Sequence, residues 1–161
     1  MITIDRPGGE PLQIDFILVD FEGTLAADRR VHPKAKDKLN LLSKRAKIFV
    51  LTTGEIKVVG ELLKKVMAEV VCLPEQGASL AKLDLMKRLG EARTVAIGNG
   101  VDDSPMIEAA SLSIGVIGKE GAAGEVLRKA DVVVTNILDA LDFLLKPLRQ
   151  KATLGSNRSE L

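Results

Sequence analysis

Short apolar runs alternate with segments of helical periodicity along almost the whole chain. Runs of apolar and β-branched residues predict strands that are buried on both faces, and apolar spacings of three and four predict the helices that cover them. The predicted strands are residues 16–20, 48–51, 69–73, 93–98, 112–116 and 131–134. The predicted helices are residues 33–45, 56–66, 77–89, 104–110, 121–129 and 136–145. Because right-handed crossovers join parallel strands through helices, this alternation predicts an α/β fold with a doubly wound, mainly parallel sheet.

The first half of the chain adds a hairpin and two helices with clear apolar faces. Residues 2–4 and a second apolar run from Leu12 flank a Pro-Gly-Gly turn, which predicts a short N-terminal β-hairpin. The apolar faces of the two helices consist of Ala35, Leu39 and Leu42 and of Ile56, Val59, Leu63 and Val66. These faces are expected to cover the sheet.

Near the C-terminus, Asn136 is expected to cap the last helix, and Pro147 is expected to stop it. The polar residues 150–161 are expected to fray as a flexible tail. A chain of 161 residues is long enough for one sizeable core. Residues 1–149 are therefore predicted to form a single domain.

The composition argues against several classes of function. The net charge is +1 and the chain has no Trp or Tyr on which bases could stack, so nucleic-acid binding is not expected. The longest apolar runs fall short of the ~20 residues of a membrane span, so no membrane is expected. The N-terminus lacks a secretory pattern and the only cysteine is Cys72, which makes the cytoplasm the expected compartment. Cys72 follows two valines in a strand, where a buried core thiol is expected and a catalytic thiol is the alternative.

Polar side chains follow three of the predicted strands at the point where each strand ends. The three segments are Asp20-Phe21-Glu22-Gly23-Thr24, Thr52-Thr53-Gly54 and Gly98-Asn99-Gly100-Val101-Asp102-Asp103. Ser104 and Pro105 then suit a helix cap and a first helical position. Ligands of open parallel sheets bind at the carboxyl ends of the strands. The sequence therefore predicts that these three loops form one site.

The three segments, in this order, resemble the motifs of the haloacid dehalogenase superfamily of aspartate-dependent phosphohydrolases. The likeness spans residues 14–145, is carried mostly by residues 97–118, and is greatest to small soluble members similar to the phosphorylation domain of P-type ATPases. It implies a Rossmann-like sheet and a phosphatase in which Asp20 attacks phosphorus and forms an aspartyl-phosphate. About thirty residues separate the first two motifs, and about thirty again lie between Gly54 and Lys82, which leaves no room for a cap domain. The nucleotide-binding insertion of the pumps is also missing, so ATP binding and ion transport are not expected.

The resemblance further implies a magnesium ion beside Asp20. Mg²⁺ prefers hard oxygen ligands and needs only one or two carboxylates besides a substrate phosphate, which Asp20 and Asp103 can supply. In the family, the backbone carbonyl at the position of Glu22 is a further ligand. Asn99 stands where many relatives have a second metal-binding aspartate, so weaker binding through its amide oxygen is expected. Asp102 is expected to orient a ligand. The alternative for both Asp102 and Asp103 is that they only complement the positive N-terminal end of a helix.

Hydroxyl and glycine positions complete the predicted phosphate site. Thr52 is expected to hydrogen-bond the transferring phosphoryl group, and Thr53 is the alternative, because either hydroxyl could face the site. The other expected substrate-binding residues are Gly23, Thr24, Gly54 and Gly100.

A cation should clamp the phosphate, and the family places a lysine for this on the helix before the Gly98 loop. Lys82 is the candidate, because it lies at the edge of an apolar helical arc while Lys87 points away. The arc consists of Ala78, Ala81, Leu85 and Leu89. The alternative is that Lys82 is a solvated surface lysine.

Glu22 is the main departure from the family pattern. Typical phosphatases of the superfamily have an aspartate there, which protonates the leaving group and then activates water. The stem of Glu22 is one carbon longer, and a misplacement of about 1 Å can cost roughly 100-fold in rate, so slow turnover is expected. The alternative is a degenerate domain that binds phosphate or a protein partner without turnover. A receiver-type phospho-acceptor domain is a third hypothesis, although its acceptor normally lies on a later strand.

The sequence says little about the substrate beyond its phosphate. Residues 26–32 are the one local lid candidate, and His32 within them is expected to face solvent, with substrate contact as the alternative. Capless relatives act on larger substrates or close the site with a neighbouring subunit. A homo-oligomer is therefore expected.

Overall fold

A computed structural model describes residues 1–155 and places most of their strands in one central sheet. The strands are β1 (Ile2–Ile4), β2 (Leu12–Ile14), β3 (Phe16–Asp20), β4 (Ala26–Ala27), β5 (Arg30–Val31), β6 (Lys47–Thr52), β7 (Glu69–Cys72), β8 (Thr94–Gly98), β9 (Leu112–Val116) and β10 (Val132–Val134). The helices are α1 (Pro33–Ser43), α2 (Ile56–Leu62), α3 (Ala78–Leu89), α4 (Ser104–Ala109), α5 (Gly124–Lys129), α6 (Ile137–Leu145) and α7 (Pro147–Leu154). Short 3₁₀ turns at Glu91–Arg93 and Val101–Asp103 precede β8 and α4.

The central sheet has the strand order β10-β9-β8-β3-β6-β7, and all neighbouring strands are parallel. β3 comes first in the chain but lies in the middle of the sheet. The chain adds β6 and β7 on one side of it and later adds β8, β9 and β10 on the other. The winding therefore reverses at β3, and the carboxyl end of β3 opens where ligands bind in such sheets. This topology confirms the doubly wound, Rossmann-like fold, and no cap domain interrupts it within residues 1–155.

Both faces of the sheet are covered by packed side chains. Successive residues of a strand point to opposite faces, so neighbouring residues of β3 lie in different cores. Ile17 and Val19 of β3 belong to one core cluster, together with buried residues of α1 and α6. Leu18 belongs to a second cluster, with Met86 of α3 and Met106 of α4. All five side chains are buried. β3 therefore has a packed core on both sides, which fixes the position of the carboxylate at its end.

The predicted helices are all present, and α2 differs most from its prediction. It ends at Leu62, one turn earlier than predicted, and Lys65 beyond it has a left-handed φ of 67°. Ile56 was predicted on its buried face but is 52% exposed. Of the residues of that face, only Val59 and Leu63 are buried.

The C-terminal segment continues further than predicted. Asn136 caps α6 as expected, since its side chain accepts a hydrogen bond from the backbone N–H of Asp139 at 2.9 Å. Pro147 ends α6 but also begins α7, where a proline is tolerated because the first helical N–H groups have no partner in the helix. α7 runs to Leu154, so the predicted tail boundary at residue 150 falls inside a helix. The tail beyond residue 155 lies outside the described residues.

Two small hairpins accompany the sheet. β1 and β2 pair antiparallel, which confirms the predicted N-terminal hairpin. β4 and β5 form a second hairpin within residues 26–32, where the sequence predicted only a loop. Asp28 and Arg29 make its turn with left-handed φ values of 52° and 58°, and such a two-residue turn matches the twist of its strands. The hairpin begins directly after the turn that follows Asp20.

The helices of residues 1–155 include none with the length and apolar character needed to cross a bilayer. The longest, α3, has 12 residues, whereas a span needs ~20.

Candidate active site

The three polar loops meet at one edge of the sheet. Asp20 ends β3, Thr52 ends β6 and Gly98 ends β8. Because β6, β3 and β8 are adjacent and parallel, their carboxyl ends lie side by side. The structure therefore brings together the three loops that the sequence predicted in one site, and Lys82 of α3, the predicted cation, contacts Asp20 there.

Lys82 is the charged centre of this site. Its Nζ donates to Asp20 Oδ1 at 3.0 Å, to Asp102 Oδ2 at 2.8 Å and to Asp103 Oδ1 at 2.7 Å. The side chain is 1% exposed, so it is not a solvated surface lysine. The prediction placed Lys82 at the edge of the buried face, but Ala78, Lys82 and Met86 form its centre. The difference arises because this face of α3 covers the polar strand ends as well as the apolar core.

The loop after β8 is folded around Asp103. Its Oδ2 accepts hydrogen bonds from the backbone N–H groups of Asn99 and Gly100, both at 3.0 Å. This leaves Oδ1 for Lys82. The tight wrapping requires a glycine at position 98, because a Cβ there would lie 2.6 Å from the Cγ of Asp103. Gly98 and Gly100 thus shape the carboxylate site, and Gly100 also supplies one of its donors.

Three carboxylates share one ammonium, and the pKa values of the two buried ones, Asp20 and Asp103, reflect the imbalance. Burial raises the pKa of Asp20 well above its ordinary value, Asp103 adds to the rise, and Lys82 opposes it. Burial also raises the pKa of Asp103 despite the nearby Lys82. Burial alone would lower the pKa of Lys82, but Asp20 and Asp103 raise it above the ordinary value, so the ammonium stays protonated. The site is short of positive charge.

Thr24 joins the first and third loops. Its Oγ1 lies 3.2 Å from Asp20 Oδ2 and 2.9 Å from Asn99 Oδ1. The Asn99 Nδ2 donates to the carbonyl of Gly121 at 3.1 Å, which turns the amide oxygen toward Thr24 and Asp20. A hydroxyl has one hydrogen to donate, so one of these two acceptors has no donor from Thr24. Thr24 was predicted to bind substrate, whereas here its hydroxyl contacts two other site residues.

The oxygen atoms of this site fit a magnesium ion. Among residues 1–155, no three His, Cys, Asp or Glu side chains are arranged as a metal-binding group. Mg²⁺ does not need such a group, since it binds through one or two carboxylates, an amide oxygen, waters and substrate phosphate. Asp20, Asp103 and Asn99 supply these donors, and the uncompensated negative charge favours a divalent cation. Among residues 1–155, the carboxylate of Asp102 accepts a hydrogen bond from Lys82, and its role in orienting a ligand stays a prediction.

Glu22 of the first loop and Thr52 of the second loop form a hydrogen-bonded pair. The hydroxyl of Thr52 donates to Glu22 Oε1, and the backbone N–H of Gly54 donates to the Thr52 hydroxyl at 2.9 Å. Thr52 is 1% exposed, whereas Thr53 is half-buried. The structure therefore places Thr52 rather than Thr53 beside the acidic group predicted to transfer protons.

Sequence reasoning missed the loop that covers Gly23. In this loop, Gly118 and Gly121 form an isolated β-bridge. The Oε2 of Glu120 lies 2.5 Å from the position that a Cβ on Gly23 would take, and Gly23 has a left-handed φ of 76°. Only glycine suits such a position. No sequence motif marks Glu120, because it comes near Gly23 only through the folding of a loop that is distant from Gly23 in the sequence.

Two other predictions concern single side chains near the site. Cys72 was predicted to be a buried core thiol, but it is exposed, because β7 is the edge strand of the sheet. Its Sγ donates to the carbonyl of Gly54 at 3.2 Å. His32 is exposed as predicted and caps α1, where its Nδ1 accepts from the backbone N–H of Lys34 at 3.0 Å.

Comparison with known sequences finds two matches of different extent. An uncharacterized protein of Methanocaldococcus jannaschii, MJ0073, is 42% identical over 78 residues, which cover 46% of this chain and 84% of that protein. A phospholipid-transporting ATPase IC of Xenopus tropicalis is 33% identical over 92 residues, which cover 55% of this chain but 7% of the pump. No protein-family model matches the chain.

Comparison with solved structures finds the same arrangement of sheet and helices in phosphatases. The 3-deoxy-D-manno-octulosonate 8-phosphate phosphatase of Moraxella catarrhalis, determined with a magnesium ion, a phosphate ion and a KDO molecule, has a TM-score of 0.71 at 15% identity. The match covers 84% of this chain and 88% of that enzyme.

Proposed function

Because the chain belongs to the same family as the M. jannaschii protein and has the haloacid dehalogenase fold, we propose that it is a magnesium-dependent phosphohydrolase acting through an aspartyl-phosphate on Asp20. The observation that carries the proposal is the buried contact of Lys82 with Asp20, Asp102 and Asp103 at the switch point of the sheet. A carboxylate at this position has a fixed direction of attack and a cation beside it.

Asp20 is the nucleophile in this proposal. One of its oxygens contacts Lys82 and the other contacts Thr24, which holds the carboxylate in one orientation. In-line attack on a phosphate monoester forms the bond from a carboxylate oxygen to phosphorus as the bond to the alcohol oxygen breaks. Water then attacks the acyl phosphate, releases phosphate and restores Asp20. Two displacements of moderate difficulty replace a single hard one.

Magnesium would be held by Asp20, Asp103 and the amide oxygen of Asn99, with the backbone carbonyl of Glu22 as a further ligand. When bound, it neutralises negative charge on the carboxylates and the phosphate. Lys82 supplies the remaining positive charge and bridges Asp20 and Asp103 through its ammonium. Since Asn99 contributes an amide rather than a carboxylate, weak magnesium affinity is expected.

Glu22 is proposed as the general acid and base. It would donate a proton to the leaving alcohol and then take one from the attacking water. The hydrogen bond from Thr52 to its carboxylate supports this role, because it holds the longer side chain beside the phosphate loop. The same hydrogen bond occupies one oxygen of the Glu22 carboxylate, which agrees with slow turnover.

The decisive test is release of phosphate from phenyl phosphate in the presence of Mg²⁺. We expect slow turnover by the wild type and a loss of at least roughly 1,000-fold in Asp20→Asn, because the amide cannot attack phosphorus. The control is Asp37→Asn, which changes an exposed acid on α1 and should behave as the wild type. Activity that survived in Asp20→Asn would contradict the assigned nucleophile.

A second candidate function is phosphate or partner binding without turnover. It is favoured by Asn99, whose amide replaces a metal-binding carboxylate and is held by Thr24 and Gly121. Calorimetric titration with Mg²⁺, combined with the phosphate assay, separates the two functions. Binding of magnesium and phosphate with no release from any ester would support the second.

We propose the cytoplasm as the compartment in which the protein works. A homo-oligomer in which a neighbouring subunit closes the site stays a prediction.

A further inference from the structure

Two cavities flank the β4–β5 hairpin next to the candidate active site. One has a volume of about 690 Å³ and the other of about 590 Å³, both within the usual range of ligand pockets. Gly23 lines both cavities, and Thr24 lines only the larger one. Because the Thr24 hydroxyl contacts Asp20, the larger cavity begins directly beside the predicted phosphate position. Two cavities, one on each side of the hairpin, are therefore available to the leaving group of a substrate.

The two cavities differ in charge. We call the larger one the basic cavity, because Arg30, Lys119 and His32 line it together with a single carboxylate, Asp28. We call the smaller one the acidic cavity. Its charged lining residues are Glu22, Asp28, Glu55, Glu120 and Arg29. A substrate that already carries a phosphate dianion is repelled on the acidic side and attracted on the basic side.

The cations of the basic cavity have little to bind within the chain. Among residues 1–155, the guanidinium of Arg30 forms no ion pair or hydrogen bond. Lys119 has only a 3.8 Å contact with Asp28, and both side chains are more than three-quarters exposed. His32 accepts a hydrogen bond at Nδ1, which leaves Nε2 as the ring nitrogen that can donate. Two cations and one imidazole donor thus remain available to a ligand.

Apolar side chains form much of the remaining wall of the basic cavity. They are Leu25, Val31, Val116 and Ile137. A carbon skeleton can pack against this wall while polar groups at its two ends contact the charged residues. Such a lining suits a small organic molecule better than a free inorganic ion.

We propose that the substrate of this phosphohydrolase carries a second anionic group, such as a carboxylate, which Arg30 and Lys119 bind in the basic cavity while the phosphate lies at Asp20. The proposal rests on the function proposed above. It names the substrate class as phosphorylated organic acids and makes Arg30 and Lys119 specificity-determining residues. An arginine fits a carboxylate because its planar guanidinium can donate two parallel hydrogen bonds.

The test compares phenyl phosphate with 4-carboxyphenyl phosphate, which differ only in the second anionic group. In the wild type, we expect kcat/KM for the carboxylated ester to exceed that for phenyl phosphate by roughly tenfold, mainly through KM. Arg30→Gln and Lys119→Gln should each reduce this ratio, and the double variant should bring it to about one. The matched control is Arg29→Gln, which removes the neighbouring arginine on the acidic side and should leave the ratio unchanged.

Two results would overturn the proposal. One is a ratio that stays at its wild-type value in the double variant, and the other is an equal decrease in Arg29→Gln, which would indicate a general charge effect. If the wild type hydrolyses neither ester, the proposed function fails, and the cavity is tested by binding instead. Calorimetry should then show tighter binding of 4-carboxyphenyl phosphate than of phenyl phosphate, and Arg30→Gln should abolish the difference. Equal binding of the two esters would reject the cavity assignment independently of turnover.

Discussion

At the scale of single residues, Lys82 compensates the charge of the carboxylates of the site. Its ammonium is the only cation that contacts the buried carboxylates of Asp20 and Asp103 among the described residues. Removing one member of a buried ion cluster leaves the other charges without compensation, which costs far more than the loss of a surface pair. The helix face that carries Lys82 could be found from the sequence, but its full burial depends on how α3 meets the strand ends.

We predict that Lys82→Met lowers the free energy of unfolding by about 3–5 kcal/mol in the absence of magnesium, because it leaves buried carboxylates without their cation. Urea denaturation in EDTA measures the change. The control is Lys87→Met on the exposed side of the same helix, which should stay within about 0.5 kcal/mol of the wild type. Equal stabilities of the two variants would show that Lys82 does not neutralise the cluster.

Some residues of the site could be predicted from the sequence, and others could not. Asp20, Thr52 and Asp103 could be predicted because each follows a strand whose apolar run is visible locally. Glu120 could not, since it comes near Gly23 only through the fold of the loop that contains it. The role of Thr24 as a link between Asp20 and Asn99 was equally hidden, because Thr24 and Asn99 are 75 positions apart in the chain.

At the scale of secondary-structure elements, an ion-pair cluster ties α1 to α6. Lys38 of α1 contacts Asp142 of α6 at 2.7 Å, and Lys146 contacts the other carboxylate oxygen at 3.3 Å. Burial alone would raise the pKa of Asp142, but the bonds from Lys38 and Lys146 outweigh it and lower the pKa below its ordinary value. Asp142 is 8% exposed, so these lysines replace most of its contact with water.

The lowered pKa of Asp142 predicts a pH-dependent contribution to stability. Since the folded pKa lies below the unfolded one, the contribution is complete above the unfolded pKa and is lost as the pH falls through the folded pKa. We expect Asp142→Asn to destabilise the protein by about 1 kcal/mol at pH 7, and the difference from the wild type to shrink below about pH 4. Urea denaturation across this pH range measures it, with Asp84→Asn as an exposed control. A difference that stayed constant with pH would contradict the assignment.

The elements that were predicted and those that were missed differ in physical origin. The central strands were visible because each is an apolar run covered on both faces. The β4–β5 hairpin was not, because its strands have two residues each and its turn of Asp28 and Arg29 lacks the expected glycine. The exposure of Cys72 was also hidden, since a strand's local sequence does not say whether it lies at the edge of the sheet.

At the scale of the whole molecule, magnesium should be linked to folding. An ion that binds only the folded chain stabilises it by about 2.7 kcal/mol at a free concentration of 100 times its Kd. For a domain of this size, that corresponds to a rise in Tm of roughly 5–10 °C. We predict such a rise for the wild type and its loss in Asp103→Asn, followed by circular dichroism in EDTA and in Mg²⁺.

The comparison in this experiment is the magnesium-dependent increment within each variant, because Asp103→Asn also removes a charge that Lys82 contacts. Asp37→Asn on α1 should keep the full increment. If Asp103→Asn kept it as well, the ion would not bind at this carboxylate.

The central place of β3 has a consequence for synthesis on the ribosome. β3 emerges first among the strands of the sheet, yet its partner β8 follows more than seventy residues later. Until then, one edge of an apolar strand stays unpaired in the nascent polypeptide, and such edges promote aggregation. A fragment that stops before residue 90 should therefore precipitate on expression, and Asp20 should gain its surroundings only when the second half of the chain is made.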